Sequence, residues 1–262
     1  MDLGLSDKVA MVTAASKGLG KAAALQFARE GARVAICARS QALDSTAAKI
    51  TEETGTEVLA MRADVTRQED IDAFVQATLE KFGVIDILIL NAGGPPPGTF
   101  LSLTVGDWQA AVELTLMSAV RLCYAVVPHM VERGSGSIVA LESVSVKQPV
   151  DGLLLSNSIR MSVIGMLKTM ANELGPQGIR INSINPAWTH TGRVDQLLQA
   201  RAEAARTTPE EEGAKVTAAV PLGRMGTVEE FGRTVAWLAS PAASFVHGHA
   251  LLFDGGAAKA AL

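Results

Sequence analysis

The sequence predicts an α/β fold, a doubly wound parallel sheet of about seven strands with helices on both faces. Three observations carry that prediction. Short apolar, β-branched stretches alternate with longer amphipathic ones along the whole chain. The stretch Ile85 to Leu90 (Ile-Asp-Ile-Leu-Ile-Leu) is almost uniformly apolar, as a central parallel strand covered on both faces must be. The chain also opens with a strand, a glycine turn and a helix, the start of a β-α-β unit with right-handed crossovers.

Each element has its own signal. Val9 to Val12 reads as a buried strand bounded by polar residues, and Leu19 to Glu30 as a helix stopped by Gly31. Between them, Gly18 and Gly20 form a tight turn. The free N–H groups and the positive end of the helix dipole then point at one place, which suits a pyrophosphate, although the spacing departs from G-x-G-x-x-G. Val34 to Ala38 and Glu57 to Arg62 are the next strands, with helices at Gln41 to Thr54 and Arg67 to Phe82 closed by Gly55 and Gly83. A helical region from Thr104 to Arg133 is interrupted at Gly106 and Pro128. Ser137 to Leu141 is a strand, Leu154 to Leu174 a helix, and Ile179 to Ile184 a strand. A polar helical stretch, Val194 to Lys215, and a helix at Val228 to Ala239 precede the last strand, Ala250 to Phe253. No linker, repeat or low-complexity segment divides the chain, so residues 1–262 are expected to form one domain, with a substrate lid at about 187–222.

Composition narrows the function. Hydrophobic residues make up 48% of the chain and charged ones 19%, enough apolar material for a substantial core. A net charge of −4 and the lack of a basic stripe argue against a nucleic-acid partner. No uninterrupted apolar run reaches the roughly 18 residues a bilayer requires, and the N-terminus lacks a secretion signal, so no membrane partner and a cytoplasmic location are expected. Cys37 and Cys123 offer neither a disulfide framework nor metal spacing and read as buried thiols; no metal is expected.

Ligands of such sheets bind beyond the carboxyl ends of the strands. After the second strand stands Ala38-Arg39-Ser40, with no acidic side chain for a ribose 2′-hydroxyl. Arg39, joined by Lys17 in the glycine turn, suits a 2′-phosphate instead; the alternative is a pair of solvated cations. Asp64 and Val65 suit an adenine amino group and ring edge. Asn91-Ala92-Gly93 lets a nucleotide lie close to the backbone, and Gly94-Pro-Pro-Pro-Gly98 stiffens the exit.

As a set, Thr13…Gly18-Leu19-Gly20, Asp64-Val65, Asn91-Ala92-Gly93, Ser143 and Gly178-Ile-Arg-Ile-Asn-Ser-Ile-Asn-Pro186 resemble the short-chain dehydrogenases/reductases, and most closely their 3-oxoacyl-carrier-protein reductase branch. The resemblance runs from Lys8 to Gly256. It implies a single Rossmann-like domain of seven strands that binds NADP(H), with NAD the weaker candidate. The implied cofactor contacts are Thr13, Ser16, Lys17, Gly18, Leu19, Gly20, Arg39, Asp64, Val65, Asn91, Ala92, Gly93, Arg160, Pro186, Thr189 and Thr191. Thr189 and Thr191 would take the nicotinamide carboxamide and a phosphate. The Ala-rich surface of the two long helices and the segment ending Phe253-Asp-Gly-Gly256 imply a homotetramer or homodimer.

The likeness breaks at the chemistry. The family reduces a carbonyl with an Asn, a Ser, a Tyr and a Lys four residues after the Tyr. Ser143 matches the Ser, but the register set by Val163-Ile-Gly165 and Ala171-Asn-Glu-Leu174 puts Ser156 at the Tyr and Arg160 at the Lys. Counted from Trp108, the Asn falls on Thr115; Ala14 and Ala187 replace two family glycines. Carbonyl reduction leaves an alkoxide that must be protonated, and a short aliphatic hydroxyl is a far weaker acid than a phenol. Arg160 keeps the charge and can offer a fork of donors to the ribose hydroxyls, but it does not give up a proton. Ser143, Ser156 and Arg160 are therefore the candidate catalytic residues.

Other groups have both a functional and a bland reading. His190 is a proton donor or a solvent-facing loop residue, and Lys147 a substrate contact or a surface lysine. Glu142 is expected to alternate to the opposite side of Ser143 and pair elsewhere, and His129 to be structural. Trp188 and Leu197-Leu198 suit an apolar lid, and Glu210-Glu-Glu212 a solvated helix face. The leading function is an atypical NADP(H)-dependent oxidoreductase on a small or medium ketone, 3-oxoacyl or imine substrate, with water or His190 as proton source. A non-catalytic cofactor-binding sensor or scaffold, and a lyase or isomerase, are the alternatives.

Overall fold

The computed structural model describes residues 2–260. Seven parallel strands form its sheet: β1 (Val9–Val12), β2 (Arg33–Ala38), β3 (Val58–Arg62), β4 (Ile87–Leu90), β5 (Gly136–Leu141), β6 (Ile179–Pro186) and β7 (Ala250–Phe253), in the order β3-β2-β1-β4-β5-β6-β7. The doubly wound fold is therefore as expected. Strand order reverses between β1 and β4, where Ala10 lies opposite Ile87 and Val12 opposite Ile89. Chains leaving these two strands diverge to opposite faces, which opens a crevice at their carboxyl ends.

Helices cover both faces because side chains alternate along each strand. On one face, Ala10, Val12, Val34 and Ile36 pack with Ala23, Ala24 and Phe27 of α1 (Gly18–Arg29) and with Phe231 and Val235 of α9 (Val228–Ala239). The other face joins Met11, Leu88 and Ile138 to Phe74 of α3 (Gln68–Phe82), Val126 of α5 (Ser118–Arg133) and Val163 of α6 (Leu154–Leu174). Gly83 and Gly134 stop α3 and α5 in the left-handed conformation, as does Gly55 after α2 (Ala42–Thr54). Cys37 and Cys123 are buried, and burial pushes both thiols up to about 12, which leaves them inert.

Two expectations change. The segment from residue 104 to 133 is not interrupted at Gly106 or Pro128. It runs as α4 (Val105–Ala111), a wider π turn (Val112–Met117) and α5, with Pro128 inside α5. Length and composition would let this rod cross a membrane; here Leu122, Cys123, Val126 and Met130 bury into the core. The predicted stretch 194–215 is two helices, α7 (Gly192–Ala205) and α8 (Pro209–Ala219). The break follows from Arg206, left-handed at φ 56°, and from Thr208-Pro209, where the threonine caps and the proline suits only a first turn. Val194, Leu198 and Val216 then pack α7 on α8. The Glu210 to Glu212 run is more than a solvated face, because Glu211 completes the capping box of Thr208 while Glu212 binds Thr207 and Lys215.

One arginine ties the far end of the sheet together. Arg180 of β6 donates to the carbonyls of Leu238, Ala239, Ser240, Ala243 and Val246, and to the Ser137 hydroxyl, at 2.9–3.3 Å. Several of these are the orphan carbonyls at the end of α9, which a planar fork satisfies together. We expect Arg180→Met to lower stability by about 3 kcal/mol in urea unfolding, with Arg180→Lys recovering only part of the loss.

Candidate active site

The crevice is held open by a polar staple between β1 and β4. The Thr13 hydroxyl, fully buried, donates to the Asn91 carbonyl at 2.7 Å and accepts from the Asn91 N–H at 2.9 Å. The Asn91 amide donates back to the carbonyls of Thr13 and Ala14, each at 3.2 Å. These polar groups of Thr13 and Asn91 are thus engaged within the protein. Gly20 lies against the staple: a Cβ there would meet Asn91 Nδ2 at 2.6 Å and the Ala14 carbonyl at 2.7 Å. Gly18 needs its left-handed φ of 58°, and Ala14 adopts φ 48° where an alanine is strained. The turn therefore leads straight into α1, whose first N–H groups have no partner within the helix and no side-chain cap from Lys17.

Around this cradle the strand exits converge. Lys17 is exposed beside the turn, Leu19 packs onto the α1 core, and the Ser16 carbonyl accepts from Thr46. Arg39 is 70% exposed at its side chain and reaches Asp64 at 3.4 Å. Burial opposes ionisation of Asp64, but the Thr66 N–H and hydroxyl together with Arg39 hold its carboxyl below the usual range. Val65 is buried next to it, and Ala92 packs against the core before Gly93. From β6, Pro186 pairs with Phe253, and Thr191 caps α7 with its methyl 3.9 Å from where a Gly18 side chain would begin. Arg193 reaches across from α7 to the Pro95 carbonyl at 3.2 Å. Thr189 is 2% exposed and its hydroxyl has no partner within the protein. A buried hydroxyl left unsatisfied within the protein is free to take a polar group of a ligand.

The third group comes from β5 and α6. Ser143 follows β5 in extended conformation, and its Oγ accepts from the Ser145 N–H at 3.1 Å. Ser156, 8% exposed on α6, lies 3.2 Å from the Ser145 hydroxyl and accepts from Arg160 Nε at 3.2 Å. An arginine N–H only donates, so Ser156 Oγ is the acceptor in that bond, while either hydroxyl can donate in the Ser145–Ser156 pair. Arg160 NH1 binds the Glu142 carboxylate at 2.9 Å and the Leu141 carbonyl at 3.4 Å. Glu142 does not pair on the far side of the strand; its partner is the site's own cation. Its burial pushes the carboxyl up, and the guanidinium pulls it back. Thr115 sits in the π turn, 5% exposed and with its hydroxyl unpartnered. His190 is exposed and lines a cavity with Asp195, Leu198 and Met225. Lys147 ends the short turn Val144–Val146. Among the described residues, no three metal-binding side chains cluster.

The chain as a whole is similar to known proteins. A family profile described as Enoyl-(Acyl carrier protein) reductase matches residues 13–258. The 3-oxoacyl-(acyl-carrier-protein) reductase of Synechocystis is 33% identical over 255 residues, covering 96% of this chain and 97% of that protein. This chain is a short-chain dehydrogenase/reductase. L-sorbose reductase from Gluconobacter frateurii, solved with NADPH and L-sorbose, superposes on this dehydrogenase/reductase with a TM-score of 0.94, 33% identity and coverage of 99% and 100%. An NADPH-bound short-chain oxidoreductase from Pseudomonas aeruginosa PAO1 that contains an atypical catalytic center gives 0.88, 28%, 97% and 98%.

Sequence reasoning missed three participants. Ser145 carried no motif, the π turn around Thr115 has no periodicity signal, and the Glu142–Arg160 pair joins residues 18 apart in sequence. The available clue was a glutamate ending an otherwise apolar strand. For the staple, we expect Thr13→Val to cost about 2 kcal/mol in urea unfolding and to weaken NADPH binding in a fluorescence titration, because it leaves Asn91 backbone groups unpaired.

Proposed function

We propose that this protein is an NADP(H)-dependent oxidoreductase acting on a small or medium carbonyl-like substrate: a ketone, a 3-oxoacyl group or an imine. One observation carries the reading: Ser143, Ser145, Ser156 and Arg160 form one hydrogen-bonded cluster after β5, the parallel neighbour of β4, so it lies at the same carboxyl edge of the sheet as the glycine turn. NADPH complexes among its structural relatives support the cofactor. Lys17 and Arg39 would hold the 2′-phosphate, the α1 N-terminus and Thr191 the pyrophosphate, Asp64 and Val65 the adenine, and Thr189 the carboxamide. When bound, the cofactor supplies hydride.

The protein's own groups then divide the remaining work. Ser143 Oγ accepts from a backbone N–H, which frees its proton for the substrate oxygen or nitrogen. Arg160 uses Nε and NH1 inside the protein, so NH2 is the nitrogen left for the ribose edge. Water is the proton source, since Ser156 and Arg160 are poor acids. A protonated imine needs least from such a site, because its reduction ends in a neutral amine. Residues 187–222 serve as the lid in this reading, and the exposed Tyr124 and Met161 on α5 and α6 suit self-association as a dimer or tetramer in the cytoplasm.

The serine at position 156 also favours a second reading, a cofactor-binding sensor without turnover. Fluorescence titration should show NADPH binding at least about tenfold tighter than NADH, and Lys17→Ala/Arg39→Ala should erase that preference. Equal affinity in the unmodified protein would remove the phosphate role. NADPH oxidation with L-sorbose, a 3-oxoacyl thioester or a cyclic imine supports the oxidoreductase; tight binding with none consumed favours the sensor.

A further inference from the structure

The segment leaving β5 brings two functional groups into the site, and only one is a hydroxyl. Glu142, immediately before Ser143, turns its carboxylate toward α6 and meets Arg160 at 2.9 Å, with side chains 5% and 11% exposed. Stability alone is a weak reason for such a pair, because desolvating two ions offsets most of their attraction. The arrangement has a more specific consequence at its location. Arg160 would otherwise bring an uncompensated charge to the serine cluster, and a glutamate this close cancels it.

We propose that Glu142 is a positioning residue that sets both the direction and the charge of this site: it clamps Arg160 so that Nε orients the Ser156–Ser145 hydroxyls, and it neutralises the guanidinium beside the nicotinamide. This rests on the preceding assignment of NADP(H) to the crevice, with its nicotinamide end at Ser143, Ser156 and Arg160. The oxidised nicotinamide ring is a cation and the reduced ring is neutral. A free guanidinium near the ring would therefore disfavour NADP+ while leaving NADPH little affected. With Glu142 in place the site holds both forms. The same cancellation leaves Arg160 little power to stabilise a negative oxygen, which suits a substrate that arrives already protonated, such as an iminium ion.

The ratio of dissociation constants, Kd(NADP+)/Kd(NADPH), tests the proposal without a substrate. We expect Glu142→Gln to raise that ratio about five- to tenfold, the size of one partly screened charge at short range. Glu142→Asp should stay near the unmodified value, because it restores the carboxylate. Glu142→Gln/Arg160→Gln should return to it as well, because both charges are gone. If the single glutamine variant fails to fold, Glu142→Gln/Arg160→Lys carries the same net charge and should show the same rise. A ratio unmoved in the folded variant, or two constants weakened by one common factor, overturns the proposal and leaves Glu142 a structural residue. Failure of the unmodified protein to bind either cofactor form would instead overturn the cofactor assignment.

Discussion

Two side chains, Thr13 and Asn91, hold together the place where the sheet changes direction. Their hydrogen bonds join the ends of β1 and β4, the two strands from which the chain departs to opposite faces. The crevice between those departures would otherwise carry loose backbone N–H and carbonyl groups. Because the staple is buried and satisfied, the glycine turn lies flat against it, and only the absent side chain of Gly20 allows that approach. The glycine turn before α1, the exit of β6 and the serine cluster after β5 all lie along this carboxyl edge of the parallel sheet.

One ion pair, Glu142–Arg160, organises the polar cluster after β5. Positions 156 and 160 carry a hydroxyl and a guanidinium. The guanidinium is then bound by Glu142, so its charge stays local and its donors point in set directions. What remains is a polar, hydrogen-bonded cluster whose hydroxyls and guanidinium are weak acids. In the function proposed above, such a cluster orients an electrophile and leaves protonation to water or to the substrate itself.

The architecture was legible because apolar periodicity and glycine stops are local signals. Every strand expected from the sequence exists, within a few residues at its ends, and the buried thiols and the helix-stopping glycines are where composition placed them. Errors arose where local rules compete with packing. Gly106 and Pro128 look like breaks but lie within helix, and the true irregularity, the π turn at Val112–Met117, is invisible to a 3.6-residue pattern. Between α7 and α8 the signal was present in Thr208-Pro209, and amphipathic continuity obscured it.

By itself, the sequence determined the β-α alternation, the glycine turn before α1 and the placement of buried thiols, all of which are properties of residue type and spacing. Only the tertiary structure decided how the substituting residues are used. That Thr13 and Asn91 face each other, that Thr189 is left with an unsatisfied hydroxyl, and that Arg160 belongs to Glu142 are facts about partners from different elements. A one-residue spacing rule cannot supply them, because the energy of a buried polar group depends on which partner the fold brings to it.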